Sequence, residues 1–102
     1  MKLIEPNIKQ IWNLCLKHRV KSLAVFGSIL TDRFNEQSDV DFLVDFDTTD
    51  HENWDYVTNY FDFRDALERL FGRKVDLIEQ GGIRNKYFAA NVNRTKQIIY
   101  AY

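Results

Sequence analysis

The segment DVDFLVDF, residues 39–46, alternates without a break: Val40, Phe42, Val44 and Phe46 take one set of positions, and Asp39, Asp41, Leu43 and Asp45 take the other. Successive side chains of a strand point to opposite faces. The segment therefore predicts a strand with one apolar face to bury and one largely acidic face. Just upstream, VKSLAVF is a short apolar run with branched residues that stops at Gly27, the pattern of a buried strand followed by a turn.

Helical signals surround these strands. Ile4, Ile8, Ile11, Trp12, Cys15 and Leu16 recur at helical spacing, and Pro6 suits a first turn, where its missing N–H goes unpaired in any case. This predicts a helix over about 6–18. Thr49 with Glu52 three residues on is a capping-box pattern, which places the start of a long helix near Asp50. That helix runs to about Phe71 and ends at Gly72, with Arg69 near the negative end of its dipole. RKVDLIE reads as a third strand, Gly81-Gly82 as a loop, IRNKYFAANV as a last helix, and KQIIYAY as either a short strand or a helical end. With a helical turn after Phe26 the order is α-β-α-β-α-β-α. Alternating elements of this kind predict an α/β sheet with helices packed against it. The long helix between the second and third strands suits a parallel crossover.

At 102 residues, with no Pro/Gly/Ser-rich divider, the chain reads as one domain over 1–102. A net charge of −1 supplies no basic field to hold nucleic-acid phosphates, which disfavours a nucleic-acid partner. Cys15 is the sole cysteine, so no internal disulfide forms; between Ile11, Trp12 and Leu16 it reads as a small core thiol in a reducing, cytoplasmic setting. No stretch approaches the roughly 20 apolar residues of a membrane span. His18 and His51 have no companion at metal or catalytic spacing and read as surface or capping residues. On the long helix, Trp54, Val57, Tyr60, Phe61, Phe63, Leu67, Leu70 and Phe71 spread over more of the circumference than one sheet contact needs. The excess predicts a surface for a partner protein or a second copy of the chain.

The acidic pair carries the chemistry. Two residues apart on a strand, Asp39 and Asp41 project to one side with Cα atoms ~6.5–7 Å apart. Carboxylates that close raise one another's pKa unless a cation intervenes. Oxygen ligands of this kind suit Mg²⁺ or Mn²⁺, and Mg²⁺ commonly takes one or two carboxylates, completing its shell with water and substrate phosphates. The Gly27-Ser28 turn supplies the complementary half. Gly27 lets a phosphate approach the backbone, and the Ser28 hydroxyl adds a donor.

FGS, ten residues, DVDFLV and then GRKVDLIE together resemble the minimal nucleotidyltransferases of the polymerase-beta-like superfamily, small antitoxin-type proteins paired with HEPN toxins. The resemblance spans nearly the whole chain and implies that family's small mixed sheet. It implies that Gly27 and Ser28 grip the triphosphate of a donor nucleotide, ATP by expectation. It further implies that Asp39, Asp41 and Asp76 bind two divalent metal ions, Mg²⁺ or Mn²⁺, and that AMP passes to a hydroxyl, a tyrosine of the cognate toxin in the family's antitoxins. Family members often carry arginines just after Gly-Ser, where this chain has Ile29 and Thr31, and a glycine where it has Asp32. Arg33 is the cation two residues further on. Arg84 and Lys86, near the last helix's start, read as solvated charges or phosphate contacts. Two other classes stay open: a module that holds nucleotide or toxin and neutralises by contact, and the catalytic subunit of an enzyme modifying small molecules.

Overall fold

The computed structural model describes residues 3–49 and 54–102. A 3₁₀ turn at Glu5–Asn7 leads into α1 (Ile8–Lys17), then β1 (Val20–Phe26), a 3₁₀ turn at Gly27–Leu30, β2 (Val40–Phe46), α2 (Tyr56–Phe71), β3 (Val75–Glu79), a 3₁₀ turn at Gln80–Gly82, α3 (Lys86–Thr95) and β4 (Gln97–Ala101). The strands form one sheet in the order β3-β2-β1-β4. β1 is antiparallel to both β2 and β4, whereas β2 and β3 run parallel, joined by α2 as the crossover. The expected α/β class and mixed sheet are both present. KQIIYAY, open between strand and helix in the sequence, is β4. Among the described residues no helix is long and apolar enough to cross a membrane.

The period-two pattern of β2 does what alternation requires. Val40, Phe42, Val44 and Phe46 are buried in the main core with Leu23 and Val25 of β1, Val75 and Leu77 of β3, Ile11 and Cys15 of α1, and Phe63 and Leu67 of α2. The opposite face carries the expected acids together with Leu43, which is not solvated. Leu43 is 2% exposed and packs with Ala24, Phe26 and Val92 in a second, smaller cluster that α3 covers. Covering a sheet on both sides is how an α/β domain buries strands this short.

In α1 only part of the apolar stripe goes inward. Ile11 and Cys15 are fully buried, while Trp12 and Leu16 are 45% and 69% exposed. Trp12 Nε1 donates to the Ile99 carbonyl at 2.8 Å, so the indole ties α1 to β4 instead of filling the core. Cys15 is the core thiol its context suggested, and burial pushes its pKa up to about 12. Thiolate is the reactive form. Cys15 is therefore expected to resist a thiol-labelling reagent at pH 8 in the native protein and to react fully in denaturant. Rapid labelling of the native chain would contradict its burial.

His18 caps the C-terminal end of α1, one of the two roles expected, but it is not a surface residue. It is 8% exposed, its ring lies 5.5 Å from that of Phe63, and Asn59 Nδ2 donates to its backbone carbonyl at 2.7 Å. Burial is the main influence lowering its pKa, and it favours the neutral ring. His51 lies outside the described residues.

α2 ends where the sequence places it. Gly72 adopts φ 64°, the left-handed conformation a helix C-terminus commonly takes, and donates its N–H to the Glu68 carbonyl at 2.8 Å. The start differs. Asp55 is the N-cap, its carboxylate accepting from the Thr58 N–H at 3.1 Å and the Thr58 hydroxyl at 2.8 Å. The Thr49 N–H and hydroxyl both donate to Asp47 Oδ1, at 3.0 and 2.8 Å. Glu52 and Asp50, the rest of the expected capping box, lie outside the described residues. Of the apolar set on α2, Phe63 and Leu67 are buried, Trp54, Tyr60, Leu70 and Phe71 pack partly against the core, and Val57 and Phe61 remain 63% and 44% exposed.

Candidate active site

Backbone pairing brings the predicted acids together. In the parallel ladder Asp41 stands opposite Asp76, and in the antiparallel ladder it stands opposite Phe26, the residue before Gly27. Asp39 precedes Asp41 by two positions at the head of β2. The ends of three adjacent strands therefore carry three aspartates and the Gly27 turn at one end of the sheet. Asp39 and Asp76 are exposed, and Asp41 is half-buried. Burial pushes the Asp41 carboxyl up to about 6, and the charges of Asp76 and then Asp39 add to the effect. The register and the alternation of strand side chains put Asp41 and Asp76 on one face of the sheet.

Gly27 has to be glycine for two separate reasons. Its φ of +77° lies in the left-handed region, which side chains rarely adopt. A Cβ there would also come within 2.4 Å of Asp41 Oδ2. The turn thus presses directly on the acidic site. It is closed by Thr31, whose N–H and hydroxyl both donate to the Ser28 carbonyl, at 2.9 and 2.8 Å. Ser28 is half-exposed beside the site, and Ile29 belongs to the core. An arginine at position 29 would point into the core rather than at a ligand. Position 31 has a structural task of its own. Arg33 is exposed, as are Arg84 and Lys86 next to Asn85, which caps α3.

A residue the sequence reading missed holds the approach to Asp39. Arg73, between α2 and β3, donates from Nη1 to the Asn35 and Ser38 carbonyls, both at 2.9 Å, and its guanidinium lies 4.8 Å from the centre of the Phe34 ring. Beside it, the Val40 N–H donates to the Lys74 carbonyl at 3.2 Å. These bonds fasten the segment carrying Asp39 to the entry of β3, which carries Asp76. Sequence offers no cue, since an arginine after a helix C-cap is usually solvated. Arg73→Ala leaves two carbonyls without their cationic donor and is expected to lower stability by about 1–3 kcal/mol. Denaturant unfolding checks this, and an unchanged midpoint would show that the clamp is idle.

The donor set is all oxygen and carboxylate-rich, which suits a hard divalent cation. Among the described residues no group of three or more Asp, Glu, His or Cys side chains is placed to hold a metal ion, so Asp39, Asp41 and Asp76 do not form a three-ligand site by themselves. Such an arrangement fits an ion held by one or two carboxylates and completed by water and phosphate oxygens.

Residues 7–99 match the nucleotidyltransferase domain family. The chain belongs to this family. As a nucleotidyltransferase it has relatives named protein adenylyltransferases. One, from Methanocaldococcus jannaschii, is 39% identical over 84 residues, covering 82% of this chain and 79% of that protein. Another, from Thermococcus cleftensis, is 33% identical over 66 residues, covering 65% of this chain and 62% of that protein. A solved minimal nucleotidyltransferase superposes with a TM-score of 0.75 at 26% identity, over 94% of this chain and 92% of that one. A toxin–antitoxin structure with AMP-PNP shares the fold, with a TM-score of 0.70 at 17% identity over 94% of this chain and 74% of that one. The protein is a nucleotidyltransferase enzyme of this minimal type.

Proposed function

We propose that this nucleotidyltransferase moves AMP from ATP to a tyrosine hydroxyl of a HEPN-type toxin and so acts as its antitoxin. The observation that carries the reading is the register of Asp41 with Asp76 beside the Gly27 turn, at one end of the sheet. The relatives named protein adenylyltransferases support transfer to protein. The shared fold with a toxin–antitoxin structure containing AMP-PNP is in keeping with an adenine donor and a toxin acceptor.

In this reading Gly27 admits the triphosphate to the backbone and the Ser28 hydroxyl donates to a phosphate oxygen. Asp39, Asp41 and Asp76 would hold the divalent ions. Bound there, two such ions, Mg²⁺ by expectation, would neutralise the phosphates and acidify the acceptor hydroxyl. Asp76, exposed at the start of β3, would accept the hydroxyl proton. The acceptor oxygen forms a bond to the α-phosphorus, the bond from that phosphorus to the oxygen bridging to the β-phosphate breaks, and pyrophosphate leaves with its electron pair. Val57 and Phe61, exposed on α2, supply apolar surface for a partner.

The decisive experiment incubates the protein with Mg²⁺ and α-labelled ATP, with and without the product of the neighbouring gene. Label is expected on a tyrosine of the partner, with loss of its toxicity. Absence of transfer from all four nucleotides, with the partner present, would overturn the reading. Full protection of cells by an Asp39→Asn, Asp41→Asn double variant would replace catalysis with neutralisation by contact.

A further inference from the structure

A recess of about 650 Å³ lies between the Gly27 turn and α3, and Gly27 and Asp41 are part of its lining. The rest is of another character. Phe26, Leu30, Phe88 and Val92 provide apolar wall, and Asn91 is among the polar groups. Among the described residues Asp41 is the only charged one lining it, so beyond the acidic end the lining holds no cation to pair with phosphate. The volume is ordinary for a small-molecule site. Phe88 is 42% exposed, and its ring packs against that of Phe26 at 6.1 Å in an edge-to-face arrangement. Phe26 and Val92 are buried behind it, so the wall is firm. Asn91 Oδ1 accepts from Arg94 Nη2 at 2.8 Å, which leaves the amide NH₂ as the group Asn91 offers to a ligand.

We propose that this recess receives the base of the donor nucleotide, with Phe88 as its stacking surface and the Asn91 amide donating to a ring nitrogen or carbonyl of the base. The argument rests on the reading of Gly27 and the aspartates as the phosphate end, because continuity with that end identifies the occupant. An uncharged, flat, partly apolar heterocycle is the part of a nucleoside triphosphate that suits such walls. Aromatic stacking is tolerant of base identity, whereas a fixed amide donor discriminates among edges.

The test compares ATP with inorganic tripolyphosphate, which has the phosphates and lacks the nucleoside. Affinities in Mg²⁺ are measured by calorimetry for the native protein, Phe88→Ala, Asn91→Trp and Tyr87→Ala. Phe88 and Asn91 lie on the surface side of α3, so both variants are expected to fold, with circular dichroism as the check. Tyr87 is 89% exposed and outside the recess lining, which makes it the control. Loss of the stacking ring is expected to weaken ATP by about tenfold or more. Asn91→Trp, which fills the recess, should weaken it at least as much. Tripolyphosphate affinity should stay unchanged throughout, and Tyr87→Ala should bind both ligands normally. If ATP binds the Phe88 and Asn91 variants as it binds the native chain, the base lies elsewhere while the phosphate end stands. A parallel loss of both ligands, or an equal loss in Tyr87→Ala, also overturns the assignment. Failure of the native protein to bind either ligand would remove the phosphate end and this proposal with it.

Discussion

Asp41→Asn is expected to abolish nucleotidyl transfer and, in the same protein, to raise thermal stability. The two effects share one cause. Asp41 is half-buried among like charges, and its carboxyl is pushed up to about 6. In the unfolded chain the same group ionises near the ordinary 3.8, so between these values the folded state holds more protons than the unfolded one. Folding stability therefore falls as pH rises through that window, and the full penalty is present above about pH 6. Asparagine has no charge to lose and escapes it. Allowing for the partial solvent access of Asp41, the gain is about 1 kcal/mol at pH 8, a rise in Tm of roughly 4–8 °C. It should vanish below about pH 4. Transfer should fall by at least ~10²-fold, the loss typical of removing one group aimed at reacting charge. Thermal scans at pH 4 and 8, beside labelled-ATP assays, check both halves. A variant that is destabilised at pH 8, or that remains active, would show that Asp41 is a structural acid.

Gly27→Ala should damage both fold and activity, more than its single methyl suggests. The left-handed φ of +77° costs an alanine about 1–2 kcal/mol. The new Cβ would also stand 2.4 Å from Asp41 Oδ2, closer than atoms approach, so either the turn or the carboxylate has to move. Combined destabilisation of about 2–4 kcal/mol is expected. Because a displacement of about 1 Å at a reacting group can lower a rate 10²-fold, residual activity should be at most about one per cent even at temperatures where the variant is fully folded. Pairing Gly27→Ala with Asp41→Gly distinguishes the two causes. Relief of the steric contact should restore part of the stability without restoring transfer. Equal stability of Gly27→Ala and the native protein would contradict the close approach.

The parts of this molecule legible in its sequence are those specified locally. Strict alternation from Asp39 to Phe46 gave β2 and the side its acids occupy, and Gly72 gave the end of α2, because period and φ are properties of neighbouring residues. The spacing from Gly27-Ser28 to Asp39 and Asp41 identified a candidate site whose parts the fold does bring together. What escaped depends on groups distant along the chain. The Asp47 carboxylate, which accepts from Thr49, also accepts from the Tyr102 hydroxyl at the far end of the chain. β4 gains its strand character from pairing with β1, which its own residues do not announce. Leu43 sits among acids in the sequence and is buried only because α3 folds across it. Arg73 is one charge among many until its carbonyl partners arrive from the segment before β2.

The parallel pairing of β2 with β3 has a consequence for when the protein becomes competent. β1 and β2 are joined through a turn and short connecting segment and pair antiparallel, so they belong to the more local part of the topology. Asp76 meets Asp41 only after α2 has formed and carried the chain back alongside β2. Nonlocal contacts of this kind form late, since the loop they close has to be ordered first. A nascent chain released only as far as Phe71 would own two of its three acids and no third. On the proposed roles, transfer requires all three acids, so a copy lacking β3 is expected to be inert.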